Sequence, residues 1–112
     1  MGQWYKNTVP ECNEKTCSGE MLVTVYSGSR KKVVRAVYIP YHHCTLEEMG
    51  WDMCVVPDTW EYVKKQDSWW IPEGWYEIAD YFGDYTHALI EDKVVAWSKL
   101  PKPYEPRLKQ LN

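Results

Sequence analysis

The aromatic set constrains this chain most. It has seven Trp and nine Tyr against a single Phe, together 15% of 112 residues. Nearly every ring therefore carries an N–H or O–H that requires a partner once buried. Such a chain must either turn ring edges towards water or hold many rings at a surface.

The chain is rich in β-forming residues. Met21–Tyr26 and Lys32–Ile39 read as two strands joined by a turn at Ser27-Gly28-Ser29-Arg30. Trp75–Phe82 reads as a third, turned by Gly83-Asp84. Tyr85–Ile90 and Val94–Lys99 follow after short breaks, predicting a meander of antiparallel neighbours. Both faces of Lys32–Ile39 are apolar, which predicts a central strand. Helix signals are sparse. Thr45-Leu46-Glu47-Glu48 forms a capping box and predicts a short helix over Leu46–Trp51 ended by Gly50, and Asp58-Thr59-Trp60-Glu61 predicts a further turn. The expected fold is mainly β, α+β at most: an antiparallel sheet with one short helix. At 112 residues the chain predicts one domain, a β core over 21–100 with an arm at 1–20 and an extended Pro-rich tail at 101–112. Its longest apolar runs, such as Ala36–Ile39, are four residues, against the roughly 20 of a membrane-spanning helix.

Net charge is −3, but it is partitioned. Residues 1–42 carry six Lys/Arg and three Asp/Glu; residues 43–92 carry two Lys and twelve Asp/Glu; residues 93–112 carry five Lys/Arg and one Glu. The acidic middle repels nucleic acid and attracts a basic protein surface. It also reads as a solvated face that keeps the chain soluble. The dense cluster Arg30-Lys31-Lys32 with Arg35 reads as a charged hairpin end rather than a nucleic-acid footprint.

Four Cys and three His follow. Met1-Gly2-Gln3-Trp4 opens without a basic-then-apolar leader, so the expected compartment is the cytosol, where disulfides are rare. Cys12 and Cys17 form C-x4-C in a polar stretch. Cys44 and Cys54 form C-x9-C, with His42 and His43 directly before Cys44. This spacing predicts a structural zinc held by Cys12, Cys17, Cys44 and Cys54, or with His42 or His43 replacing one thiolate. The alternatives are disulfides Cys12–Cys17 and Cys44–Cys54, or uncoordinated thiols. Such an ion would pin the N-terminal segment to the His42–Cys54 region, and four protein ligands would leave no open position for catalysis.

Enzymatic readings fare poorly. Glu73 and Glu77, four apart in a strand, lie about 13 Å from each other, beyond the reach of a paired-carboxylate glycosidase site. Cys44 beside His42 and His43 lacks the geometry of a nucleophile and its base. There is no Gly-rich phosphate loop, and His87 reads as an ordinary strand histidine. Trp69-Trp70 and Trp75-Tyr76 could instead present flat stacking faces to a sugar or peptide.

From Gly74-Trp75-Tyr76-Glu77 to Trp97-Ser98-Lys99-Leu100-Pro101-Lys102-Pro103-Tyr104, the chain resembles a family of small phage and prophage proteins classed as a domain of unknown function. Its members end in a pattern like W-M-P-L-P-E-P-Y. Trp97, Leu100, Pro101, Pro103 and Tyr104 match it; Ser98, Lys99 and Lys102 depart from it. Leu22–Tyr26 matches the family's V-L-V-x-Y strand more loosely, and the cysteines lie outside its pattern. The matching tail is expected to fold Leu100-Pro101 and Pro103-Tyr104 back as a lid on the core.

The phage setting and the acidic block together make the chain similar to zinc-containing type II-A anti-CRISPR proteins. That similarity implies a monomeric, non-catalytic inhibitor in the bacterial cytosol that occupies a basic surface of the host type II RNA-guided nuclease and blocks DNA loading. Glu47, Glu48, Asp52, Asp58, Glu61 and Asp67 would supply charge. Trp69 and Trp70, with Trp60 and Tyr76, would supply anchors. A structural phage accessory protein is the alternative.

Overall fold

A computed structural model describes residues 3–12, 18–51, 53, 55–81 and 84–101. These form β1 (Met21–Ser27), β2 (Arg30–Ile39), α1 (Leu46–Met49), β3 (Tyr62–Val63), a 3-10 turn (Lys64–Gln66), β4 (Ser68–Trp69), β5 (Gly74–Tyr81), β6 (Asp84–Leu89) and β7 (Lys93–Lys99). The mainly β expectation is met by a five-stranded antiparallel sheet ordered β6-β5-β2-β1-β7, with β3-β4 as a separate two-stranded ribbon. Among the described residues, no helix is long and apolar enough to cross a membrane.

The β1–β2 hairpin turns on Gly28, whose φ of 66° supplies the positive angle a two-residue hairpin loop requires. β2 is central, as its two apolar faces predict. It pairs with β1 along one side and β5 along the other. The predicted meander is corrected at its last strand. β5 and β6 are neighbours, but β7 leaves them, crosses to the far edge and pairs with β1, register Val23↔Trp97, with an irregularity between Thr24 and Val25. The reason is the alternation of β1. Met21, Val23 and Val25 form one apolar row, and pairing with β7 lays Trp97 beside it.

The sheet separates two cores. On one face Met21, Val23, Val25, Ala36, Tyr38, Trp75 and Trp97 pack together. On the other, Val37, Ile39, Tyr76 and Ile78 of the sheet meet Cys44, Leu46 and Ile71 from a lobe spanning residues 40–73. Residues 36 to 39 of β2 thus serve both cores alternately, as strand periodicity dictates. The lobe covers only this end of the face; nearer the hairpin, Val33 is 55% exposed.

The buried rings find partners. Trp97 Nε1 donates to the Thr8 carbonyl at 3.1 Å, Tyr76 Oη donates to the Pro72 carbonyl at 2.7 Å, and Tyr38 donates to the Glu73 carboxylate. No buried side-chain N or O among the described residues lacks a partner. Leu100-Pro101 does not cover the core as predicted. Leu100 and Pro101 are exposed, and Pro103 and Tyr104 lie outside the described residues. Tyr5 takes the place instead, stacking on Trp97 with centroids 4.5 Å apart.

Candidate functional site

The lobe begins with a helix of one turn. Thr45, extended at φ −105°, is its N-cap; its Oγ1 accepts from Glu48 N at 3.2 Å, and the Glu48 carboxylate accepts from Thr45 N at 2.9 Å. This is the predicted capping box. Gly50, at φ 69°, caps the helix as predicted, so its last residue is Met49, two residues before Trp51. Four residues cannot hold a helix unaided. The cap is therefore tied into the lobe: Thr45 Oγ1 donates to Gln66 Oε1 at 2.7 Å, and Glu47 N donates to Ser68 Oγ at 3.1 Å. The 58–61 stretch forms a turn without becoming a helix, with Trp60 N donating to the Pro57 carbonyl. The ribbon β3–β4 carries no sequence signal of its own, since each strand is two residues long.

On this base stands a stack of three rings. Tyr41 and His42 lie 4.0 Å apart at 11°, and His42 and Trp70 lie 4.9 Å apart at 18°. His42 Nε2 meets Glu61 Oε1 at 2.9 Å. Trp70 is held by its backbone N–H to the Glu61 carbonyl at 2.8 Å and by a bridge to Thr45. Tyr41, outermost, is 69% exposed. The left-handed backbone of His42, φ 48°, places its ring in this stack. Sequence reasoning overlooked Tyr41; a Tyr-His pair just past a strand-ending Pro40 is its only signal.

The predicted docking residues divide by what they already do. Glu47 and Asp58 are exposed, with no hydrogen bond or ion pair from their carboxylates among the described residues. Glu48 is spent on the capping box, Glu61 on His42, and Asp67 accepts from Tyr62, whose phenol is raised first by that hydrogen bond. Asp52 lies outside the described residues. Trp69 and Trp70 are half-buried. Tyr76 is not a surface anchor. It is 2% exposed, and burial, with the Cys44 sulfur nearby, pushes its phenol well above the usual range. Between residues 41 and 73 the chain carries seven acids and two Lys, Lys64 and Lys65. At the other end of β2, about 30 Å away by strand rise, stand Arg30, Lys31 and Lys32, with Lys93 opposite Tyr26 in register.

A groove of about 760 Å³ runs between the lobe and β6, lined by Met49, Trp51, Met53, Trp60, His87 and Leu89 among others. Trp51 stacks on His87 at 4.3 Å and tilts against Tyr76 at 5.3 Å. Burial lowers the His87 pKa, opposed in part by Glu20, so its imidazole is neutral near pH 7. This histidine is thus more than a plain strand residue: it carries one wall of the groove.

Of the predicted zinc ligands, Cys17 and Cys54 lie outside the described residues. Cys12 Sγ lies 3.3 Å from His43 Nε2, across a sequence separation of 31. Cys44 is completely buried in the second core. Among the described residues, no three metal-ligating side chains gather. No protein-family model, no curated protein and no solved structure matches the chain.

Proposed function

We propose that this chain is a binding protein that performs no chemistry and docks through residues 40–73 onto a basic surface of a partner protein. The observation that carries the reading is the exposed Tyr41–His42–Trp70 stack, set among acids that outnumber the lobe's lysines. A rigid ring with its outer face exposed offers an anchor at low entropic cost, while exposed carboxylates such as Glu47 and Asp58 steer a cationic partner. Arg30, Lys31, Lys32 and Lys93 stand at the far end of the sheet, so the lobe is the acidic face a basic surface would meet.

The resemblance to phage proteins names the partner: the type II RNA-guided nuclease, whose nucleic-acid channel is lined with Lys and Arg. Inhibition would follow from occupying that channel before DNA does, one chain per nuclease. The test is a titration of the purified chain into guide-loaded nuclease, reading target-DNA binding and cleavage over a series of salt concentrations. The expected result is loss of DNA binding at equimolar chain, weakening as salt rises. DNA binding and cleavage that are unaffected at low salt would exclude this partner.

A second reading rests on the groove. Its volume falls in the roughly 300–1,000 Å³ range of ligand sites, and Trp51, Trp60 and two Met line it. Uptake of a neutral sugar or peptide there would be nearly indifferent to salt, which separates the two readings.

A further inference from the structure

We propose that β6 accepts an extended peptide of a partner protein as an added strand of the sheet, with alternate apolar side chains of that peptide in the groove beside it and a Lys or Arg at one end facing Glu91. The inference deepens the groove reading and rests on it; it is independent of docking through the Tyr41 stack.

The phase of the hydrogen bonds is the first support. Ile90 N donates to the Trp75 carbonyl at 2.8 Å. Trp75 and Ile90 are therefore a hydrogen-bonded pair of the antiparallel ladder, and the register Tyr76↔Leu89, Glu77↔Ala88, Ile78↔His87 carries the alternation along β6. Thr86 and Ala88 turn their backbone groups to β5. His87 and Leu89 turn theirs outward, and β6 is the terminal strand of the sheet on that side among the described residues. Thr86, Ala88 and Leu89 are exposed. A row of outward backbone donors and acceptors is a template for another extended chain.

The groove follows that edge. Four consecutive residues of β6, Thr86 to Leu89, line it. Successive strand residues point to opposite faces, so a cavity that touches all four runs along the edge rather than over one face. The lobe supplies Met49, Trp51, Met53 and Trp60 to the same groove. An added strand would run about 4.8 Å outside β6. Every second side chain would then lie on the lobe's side, where His87 stacks on Trp51. Two Met among the lining residues suit this task, because a flexible thioether adapts to varied side chains.

The two edges of the sheet differ. β7 carries Lys93 and Lys99, pairs with β1 through a register shift, and is bridged by Tyr5. These are ordinary guards against strand addition. β6 has an unbroken register from Tyr76↔Leu89 to Tyr81↔Asp84 and contains no Lys, Arg or Pro.

Charge selects the peptide. His87 is neutral near pH 7, so Glu91 is the charged group among the described lining residues. Asp92 follows Glu91, Asp58 follows the lining Pro57, and all three acids are exposed. A cation at the end of the peptide complements them, and an acidic peptide is repelled.

The test titrates the peptide acetyl-Lys-Leu-Thr-Val-Thr-Leu-Lys-amide into the full-length ¹⁵N-labelled chain, reading indole N–H shifts and amide hydrogen exchange by NMR. The expected result is a shift of the Trp51 and Trp60 indoles, with exchange at His87 and Leu89 slowed about tenfold while Thr86 and Ala88, already bonded to β5, change little. N-methylation of the peptide's Leu and Val amides, or of its Thr amides, removes one alternate row of donors. One of the two should weaken binding about tenfold and the other should not. Glu91→Lys should weaken the lysine-ended peptide about threefold and favour a glutamate-ended one. Indole shifts without protection of His87 and Leu89, or equal effects of the two methylations, would overturn strand addition while leaving the groove a binding site. No binding of the peptide, with or without indole shifts from the neutral disaccharide cellobiose, would overturn it as well. Protection of His87 and Leu89 that rises with chain concentration in the absence of peptide would give the edge to a second copy instead, and an unchanged affinity in Glu91→Lys would overturn the choice of a basic peptide.

Discussion

Tyr5 and Trp97 are joined twice through their backbones, Tyr5 N to the Trp97 carbonyl at 2.8 Å and Trp97 N to the Tyr5 carbonyl at 3.0 Å, and their rings stack. The residues are far apart in sequence, yet the pair shields one core and extends the β7 edge by one bridge. Tyr5→Ala removes the ring while leaving the backbone bonds, and should cost about 1–2 kcal/mol. Trp97→Ala also leaves a cavity beside Val23 and should cost about 3–5 kcal/mol. Denaturant unfolding of both variants checks the order; no loss in Tyr5→Ala would show that Tyr5 is no lid.

Thr45 holds the lobe together through one hydroxyl. It is fully buried, accepts from Glu48 N and donates to Gln66. Thr45→Ala strands both partners and should destabilise by about 1–3 kcal/mol. Thr45→Ser keeps the hydroxyl and should recover most of that loss. Glu48→Lys breaks the same box from the other side, so it is a poor probe of docking; Glu47→Lys, on the same turn, leaves the box intact and should unfold like the wild type. Paired thermal melts distinguish these outcomes.

His87 makes stability depend on pH. Burial depresses its pKa in the folded chain below the ordinary value near 6.5. The unfolded state therefore binds the proton more readily, and stability rises with pH through the window between the folded value and about 6.5. It is complete above that window and falls as acid is added. Replacing His87 by Gln should flatten the slope of unfolding free energy against pH in that range. An unchanged slope would assign the dependence to other groups.

Docking through the lobe makes a prediction about position. Tyr41→Ala and Glu47→Lys should leave stability within about 0.5 kcal/mol, because both side chains are exposed. Both should lower partner affinity. Lys31→Glu, at the opposite end of β2, should not. Titrations of the three variants against the same partner compare them directly, and a loss confined to Lys31→Glu would move the interface to the hairpin.

Elements written in local sequence were legible. The strands over Met21–Ser27 and Arg30–Ile39, the hairpin at Gly28 and the cap at Thr45 each follow from residues within one turn or one pleat. Pairings across distance were not. Nothing near Lys93–Lys99 says that it prefers β1 over β6, since β formers suit either edge; the choice is made by the shape of the core that Trp97 fills. The acidic residues were visible as a block, but their duties were not. Glu48, Glu61 and Asp67 look alike in sequence to Glu47 and Asp58, and only packing reveals which are engaged in capping, pairing or accepting a phenol.

Because β7 joins β1 rather than its sequence neighbour, the sheet closes only when the last strand is available. During synthesis, β1 and β2 zip early, then wait through residues 40–92 with the Met21–Ser27 border unclothed. Until the ribosome delivers Lys93–Lys99, that border is open to any other extended segment, so a chain cut short before this strand should be captured by chaperones or aggregate.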